Sequence, residues 1–258
     1  MSIPNNNATS KISPTGELTG VLLHLADNAL ILGQRNAEWC GHGPVLEQDI
    51  AITNISLDLI GQARNFYQYA AELMGNGNTE DSLAYLRTER EYKNCLLVEQ
   101  PNGDWAQTML RQFLFSAYQS LLYSTLANHP DQQLAAIAAK SKKEVTYHLR
   151  WSSEWVIRLG DGTGESKQRM LAAIDALWPY TGELFLPAAY ELEAGIQVSS
   201  FEQAWMENIK SVFDEAGLTI PVNTFMQKGG KQGIHTEHLG YILTELQYMQ
   251  RAYPDSQW

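Results

Sequence analysis

Asp27, Asp58, Glu144 and His148 are the residues whose types and separations could bind metal. Two iron ions inside a helical bundle are held by four carboxylates and two histidines. Two helices each supply a Glu and the other two each supply a Glu-x-x-His. The carboxylates bridge and neutralise the metals, and the histidines complete the coordination. Here Asp27 is flanked at helical spacing by Leu23, Leu30 and Ile31, and Asp58 follows in the next helical stretch. Three residues after Asp58, where a histidine is required, stands Gly61. Between Asp104 and Asp131 there is no acid, and the polar residues available are Gln112, Ser116, Gln119 and Ser120. Glu144 shares a face with Ile137, Trp151 and Trp155; three residues on is Tyr147, and His148 comes at four. Three acids and one histidine are too few ligands for di-iron chemistry. The expectation is a polar network, with Glu144 and His148 pairing with Asp58, Asp27 or Gln112, since buried polar groups must satisfy one another. Taken singly, any of these acids could instead face solvent.

Other candidates carry less. Gly160-Asp161-Gly162-Thr163-Gly164-Glu165-Ser166 follows a helix and lacks the Gly-Lys-Ser/Thr ending of a phosphate loop, so it reads as a helix stop. His235 and His238 are spaced at i,i+3 with no evident third ligand, which favours a capping role over a metal site. Ser152 and Ser153 have no nucleophile-elbow residues around them. Tyr147, Trp151, Trp155 and Trp178 read as core or interface.

The elements that must position these residues are helical nearly throughout. Leu18, Val21, Leu22, Leu25, Ala29 and Leu32 recur at three-and-four spacing from Thr15 to Trp39. After Gly41-His42-Gly43-Pro44, with Pro44 placed to open it, a second helix runs to about Met74 through Ile52, Ile55, Leu59, Gln62 and Phe66. Gly75-Asn76-Gly77-Asn78 ends it, and Glu80 to Gly103 reads as a crossover with short helices, including one over 81–86. A third long helix starts at the N-cap Asp104 and reaches Asn128, and a fourth follows the corner His129-Pro130-Asp131 to Leu159. Four helices of about 25 residues with one long crossover describe an all-α, ferritin-like bundle. Further helices are expected near 165–176, 187–193, 200–216 and 235–252, packed on the bundle within one domain spanning 1–258. Residues 1–14 are expected to be flexible, 15–159 to form the core bundle, and 165–258 to be accessory.

Composition sets the class. With 258 residues, the chain can bury about three quarters of its unfolded surface, so it needs neither disulfides nor metal to hold a core. Charged residues are 18%, with seven Trp and twelve Tyr, which excludes disorder and leaves surface to bury against partners. The net charge of −11 argues against nucleic acid, whose phosphates need Lys and Arg. Cys40 and Cys95 form no Cys-x-x-Cys, the first residues lack signal-peptide order, and no apolar run spans a membrane; a cytoplasmic protein is expected.

Three blocks now stand out: Glu47–Ala51 continuing through Asp58-Leu-Ile-Gly-Gln-Ala-Arg64, Glu144-Val-Thr-Tyr-His148-Leu-Arg-Trp151, and Gly233-Ile-His235-Thr-Glu-His238-Leu-Gly-Tyr241. In this order, from about Leu25 to the C-terminus, the chain resembles the C subunits of bacterial 1,2-phenylacetyl-CoA epoxidases. The resemblance implies a ferritin-like structural subunit of a multicomponent monooxygenase in aerobic phenylacetate breakdown. It implies a catalytic A subunit that holds the di-iron centre and binds the CoA thioester, a reductase with flavin and an iron–sulfur cluster, and a small B subunit. This chain would hold no cofactor of its own, and Asp27, Asp58, Gly61, Gln112, Glu144 and His148 would be vestiges of a di-iron site.

The outer faces of the first two helices, including Phe66, Tyr67 and Tyr69, are the expected contacts with the catalytic subunit. Bundles paired in this way bury well over about 2,000 Å². Alone, the chain would be unstable or would self-associate. Two alternatives compete: an autonomous di-metal oxidase, and a metal-free helical binding module.

Overall fold

A computed structural model describes residues 14–254 and 256. The stretch expected to be flexible therefore lies outside the described residues, except Pro14, which opens the first helix. Among the described residues every regular element is helical: α1 Pro14–Ala37, α2 Leu46–Met74, α3 Glu80–Tyr85, α4 Leu96–Glu99, α5 Trp105–Leu126, α6 Gln132–Gly160, α7 Gly164–Leu177, α8 Ala189–Glu193, α9 Glu202–Glu215, α10 Glu237–Leu246 and α11 Tyr248–Ala252. The chain is an all-α, ferritin-like bundle of α1, α2, α5 and α6, with the crossover between α2 and α5 carrying α3, a 3-10 turn at Glu89–Glu91, and α4.

The boundaries follow from local chemistry. Asp104 accepts a hydrogen bond from the Gln107 amide at 3.0 Å, and Asp131 from the Leu134 amide at 2.8 Å, so each acid caps its helix. Thr163 does the same for α7 through Ser166, which makes the glycine-rich turn after α6 a stop followed by a cap. Pro44 stands two residues before α2 rather than at its first position. The Asp49 carboxylate reaches back to the Gly43 amide at 3.0 Å and holds that corner outside the helix. Gly75, at φ 62°, ends α2 in the left-handed region where a side chain would be strained.

The expected stripe of α1 is buried along its length, and it packs antiparallel on α2. Phe66, Tyr67, Phe113, Phe115, Tyr118 and Tyr123 fill the bundle with almost no exposure. This corrects the expectation that Phe66, Tyr67 and Tyr69 form an outer contact face: they are 0%, 2% and 6% exposed. The second half of α2 is covered by α1 and by α3, to which Arg64 binds through Glu80 at 2.8 Å. The face of α2 that looks outward is Leu46, Ile50, Leu57 and Ile60, exposed by 72%, 52%, 61% and 39%.

The C-terminal helices close the other sides. Trp205 of α9 is buried and donates from Nε1 to the Leu114 carbonyl at 3.0 Å, locking α9 onto α5. Gly20 allows Tyr190, in α8, to lie directly on α1; a Cβ at Gly20 would come within 2.7 Å of the tyrosine. Trp178 is buried against Trp205 and Phe213. Trp39, Trp151 and Trp155 surround Trp105 edge-on, with Gln48 accepting from the indoles of Trp151 and Trp155 at 3.2 and 2.8 Å.

Candidate functional site

The polar residues of the bundle interior fall into separate pairs. α2 and α6 run antiparallel, so residues four apart on one meet residues four apart on the other. Asp58 Oδ2 lies 3.0 Å from His148 Nε2, and one turn away Gln62 Nε2 donates to Glu144 Oε2 at 2.9 Å. Tyr123 on α5 closes the second pair by donating to Gln62 Oε1 at 3.2 Å. His148 is fully buried and its Nδ1 has no partner, while the Asp58 side chain is 37% exposed. With Nε2 facing a carboxylate, that nitrogen is placed to donate, and Nδ1 is left without a partner.

Gln112 lies with α1 instead. It accepts from Asn36 Nδ2 at 2.7 Å and donates to Ser116 Oγ at 2.8 Å. Beside it Arg111 is wholly buried and faces neutral oxygens: Gln100 O at 2.6 Å, Asn102 Oδ1 at 2.5 Å and Asn36 Oδ1 at 3.5 Å. Burial pulls this guanidinium down to about 9, which still leaves it charged at neutral pH.

Asp27 is the clearest departure from expectation. It is fully buried but pairs with none of Asp58, Glu144, His148 or Gln112. Tyr67 donates to it at 2.5 Å, the Lys93 amide at 2.7 Å, and both terminal nitrogens of Arg87 reach it from the crossover. Burial and then the Asp27 charge hold the Tyr67 hydroxyl well above its usual range, so it remains a donor. Gln112 likewise departs from the expected pairing. Gly61 stands between the two α2–α6 pairs, with open space where its Cβ would be.

This donor set does not fit a two-iron centre. Each acid is already engaged by an amide, an imidazole or a guanidinium, and Asp27 lies apart from the adjoining Asp58 and Glu144 pairs. Among the described residues no group of three or more His, Cys, Asp and Glu side chains is placed to hold a metal. The interior is built for mutual hydrogen bonding, which specifies packing.

The His235 segment is neither a ligand set nor a simple cap. Thr236 occupies the N-cap position of α10, yet its hydroxyl and its amide both go to Glu99 Oε1 at 2.7 Å. Arg87, Asn36 and Glu99 are the polar anchors that sequence reasoning missed. Gln62 was within reach, because its position four after Asp58 mirrors His148 four after Glu144.

Comparison with known families places this geometry. Residues 1–258 match the model of the phenylacetic acid catabolic proteins. The chain belongs to that family. A relative, the C subunit of the 1,2-phenylacetyl-CoA epoxidase of Escherichia coli (strain K12), is 49% identical over 247 residues, covering 94% of this chain and 99% of the relative. A second match, "Ribonuclease 3" of Delftia acidovorans (strain DSM 14801 / SPH-1), is 27% identical over 153 residues, 53% of this chain and 67% of that one. In this phenylacetic acid catabolic protein the Asp58–His148 and Gln62–Glu144 pairs lie within the stretches of α2 and α6 whose residues carried the resemblance.

Proposed function

We propose that this chain is the structural, non-catalytic subunit of a multicomponent phenylacetyl-CoA epoxidase acting in phenylacetate breakdown. In this reading it supports a related catalytic A subunit that holds the di-iron centre, with a small B subunit and a flavin and iron–sulfur reductase completing the assembly. The observation that carries the reading is the interior of the bundle, where every candidate ligand is occupied by a neighbouring side chain, in a chain 49% identical to the C subunit of an epoxidase. A bundle wired in this way supplies rigidity and surface rather than redox chemistry.

The partner-facing surface in this proposal is the outer stripe of α2. Leu46, Ile50, Leu57 and Ile60, spaced four, seven and three apart, fall on one face of α2 as in a helix-packing seam. An obligate contact on this scale buries more than about 2,000 Å². No helix among the described residues is long and apolar enough to cross a membrane, and both cysteines are free; a cytoplasmic setting is part of the proposal.

Co-expression with an A subunit tests the reading. The expected result is a stable complex in which epoxidation of phenylacetyl-CoA requires both bundles, with iron confined to A. About two iron atoms per copy of this chain purified alone would overturn it in favour of an autonomous oxidase. Failure to associate with any subunit bearing a complete ligand set would favour a separate binding module.

A further inference from the structure

His235 sits between two groups that only accept. Its Nδ1 lies 2.8 Å from Glu99 Oε2 and its Nε2 lies 3.0 Å from the Tyr92 carbonyl oxygen. A neutral imidazole has one N–H, so it can serve one of these and not both. The alternative, a protonated Glu99 donating to a neutral ring, is opposed by the rest of that carboxylate's environment. Asn94 Nδ2 donates to Oε2 at 2.8 Å, and the Thr236 amide and hydroxyl both donate to Oε1 at 2.7 Å. With three other donors already aimed at it, that carboxyl is placed as an acceptor, and the ring nitrogen facing it is placed to donate.

One other histidine bears on the fastening of this segment: buried His24 of α1 lies 3.6 Å from Glu191 and against the Lys93 carbonyl, and burial lowers its pKa, the opposite direction to that of His235. Gly230 and Gly233 lie against the crossover backbone; a Cβ on either would come within 2.2 Å of a carbonyl oxygen, of Asn94 and Arg90 respectively. Glu183 ties the amides of Leu96, Gly229 and Lys231, and Lys231 is held by Glu191. The groups facing His235 are Glu99 of α4, Tyr92 and, at the 3-10 turn, Glu89 and Arg90, with the Asp27 carboxylate of α1 acting from farther off.

We propose that His235 and Glu99 form a proton-dependent clasp that docks α10 onto the crossover when His235 is an imidazolium and loosens it when that proton leaves. Burial alone would lower the pKa of His235. The hydrogen bond and charge of Glu99, with the Tyr92 carbonyl, outweigh burial and raise it. A raised folded-state pKa contributes stability that is complete below the unfolded value of 6.5 and is lost as pH rises through the folded value. Local opening of α10 should therefore increase with pH above 6.5, by at most about tenfold per pH unit, and level off once the folded value is passed. The groove between Thr88–Arg90 and α10–α11, about 820 Å³ and open to solvent, has one wall on each side of the clasp and would change shape with it.

Two measurements on the full chain decide the proposal. Side-chain ¹⁵N correlation spectra, with the His235 signal identified by its loss in His235→Gln, should give a midpoint above 6.5 with both ring nitrogens protonated below it. Hydrogen exchange, corrected for the intrinsic pH dependence, should show protection of 237–246 falling with pH while α5 stays protected. In His235→Gln that fall should vanish. A neutral His235 at pH 6.5, or α10 protection that stays flat through the midpoint, would overturn the proposal. Exchange in the wild-type chain settles the matter even if the variant folds poorly.

Discussion

Asp58 Oδ2 and His148 Nε2 meet at 3.0 Å across the α2–α6 contact, one partner open to water and the other sealed from it. That asymmetry sets the cost of removing either. Asp58→Ala would leave a fully buried imidazole with no partner on either nitrogen, an expected loss of about 1–3 kcal/mol. His148→Leu removes the orphaned Nδ1 and leaves Asp58 hydrated, so its cost should stay within about 1 kcal/mol. Urea unfolding of both variants checks the order; an equal cost would mean that the difference in exposure is immaterial.

The Asp27–Arg87 pair should behave differently, because both partners are buried. Asp27→Asn keeps the shape but leaves the Arg87 guanidinium uncompensated beside Tyr67 and Tyr92. The expected loss is about 3–5 kcal/mol, the largest among these polar positions. Differential scanning calorimetry should find the transition lowered by several degrees at least, since about 1 kcal/mol is worth about 2–4 °C in a chain of this size.

Gly61 has no steric reason to be glycine, since its added Cβ would meet open space. In a helix interior, Gly→Ala stabilises by about 0.5–1 kcal/mol. Gly61→Ala should therefore raise the melting temperature of the isolated chain by about 1–4 °C. A fall instead would mean that the backbone at this position needs glycine's freedom.

The outer stripe of α2 can be tested without disturbing the core. Leu57→Asp should change the stability of the isolated chain by less than about 0.5 kcal/mol, as for exposed positions generally. The same substitution at the centre of a partner-binding seam should weaken association by about 2 kcal/mol or more, roughly thirtyfold. Titration calorimetry against the A subunit reads the second effect and thermal melting of the free chain reads the first. Unchanged affinity would move the interface elsewhere.

The long helices were legible because their signals are local. The third was expected from Asp104 to Asn128 and runs Trp105–Leu126, since its cap and its apolar stripe are both written within it. The last expected helix, 235–252, is two helices with a later start. His235 and Thr236 are drawn off by Glu99, and at Gln247 the chain breaks between α10 and α11, its side chain donating to the Arg87 carbonyl at 2.9 Å. Nothing near Gln247 in the sequence announces that partner. The same limit governs the interior. Spacing was enough to put Asp58, Glu144 and His148 on facing sides, because α2 and α6 are regular. It could not reveal that Asp27 answers to Arg87, sixty residues away in an irregular crossover. Nor could a count of aromatic residues reveal that Phe66 packs on Tyr123 of α5, Tyr67 on Asp27 of α1 and Tyr69 on Asp131 at the start of α6, while Leu57 stays outside.

Glu99 and Glu183 are both buried, yet most of the donors that satisfy them come from later in the chain, from Gly229, Lys231, His235 and Thr236. During synthesis, α1 to α6 therefore emerge well before the residues that finish their crossover. Until then Glu99 has Asn94, and Glu183 the Leu96 amide, out of the donors that finally hold them. Closure of the crossover is coupled to the arrival of residues 229–236, so a chain cut just after α9 would lack most of the donors to both carboxylates.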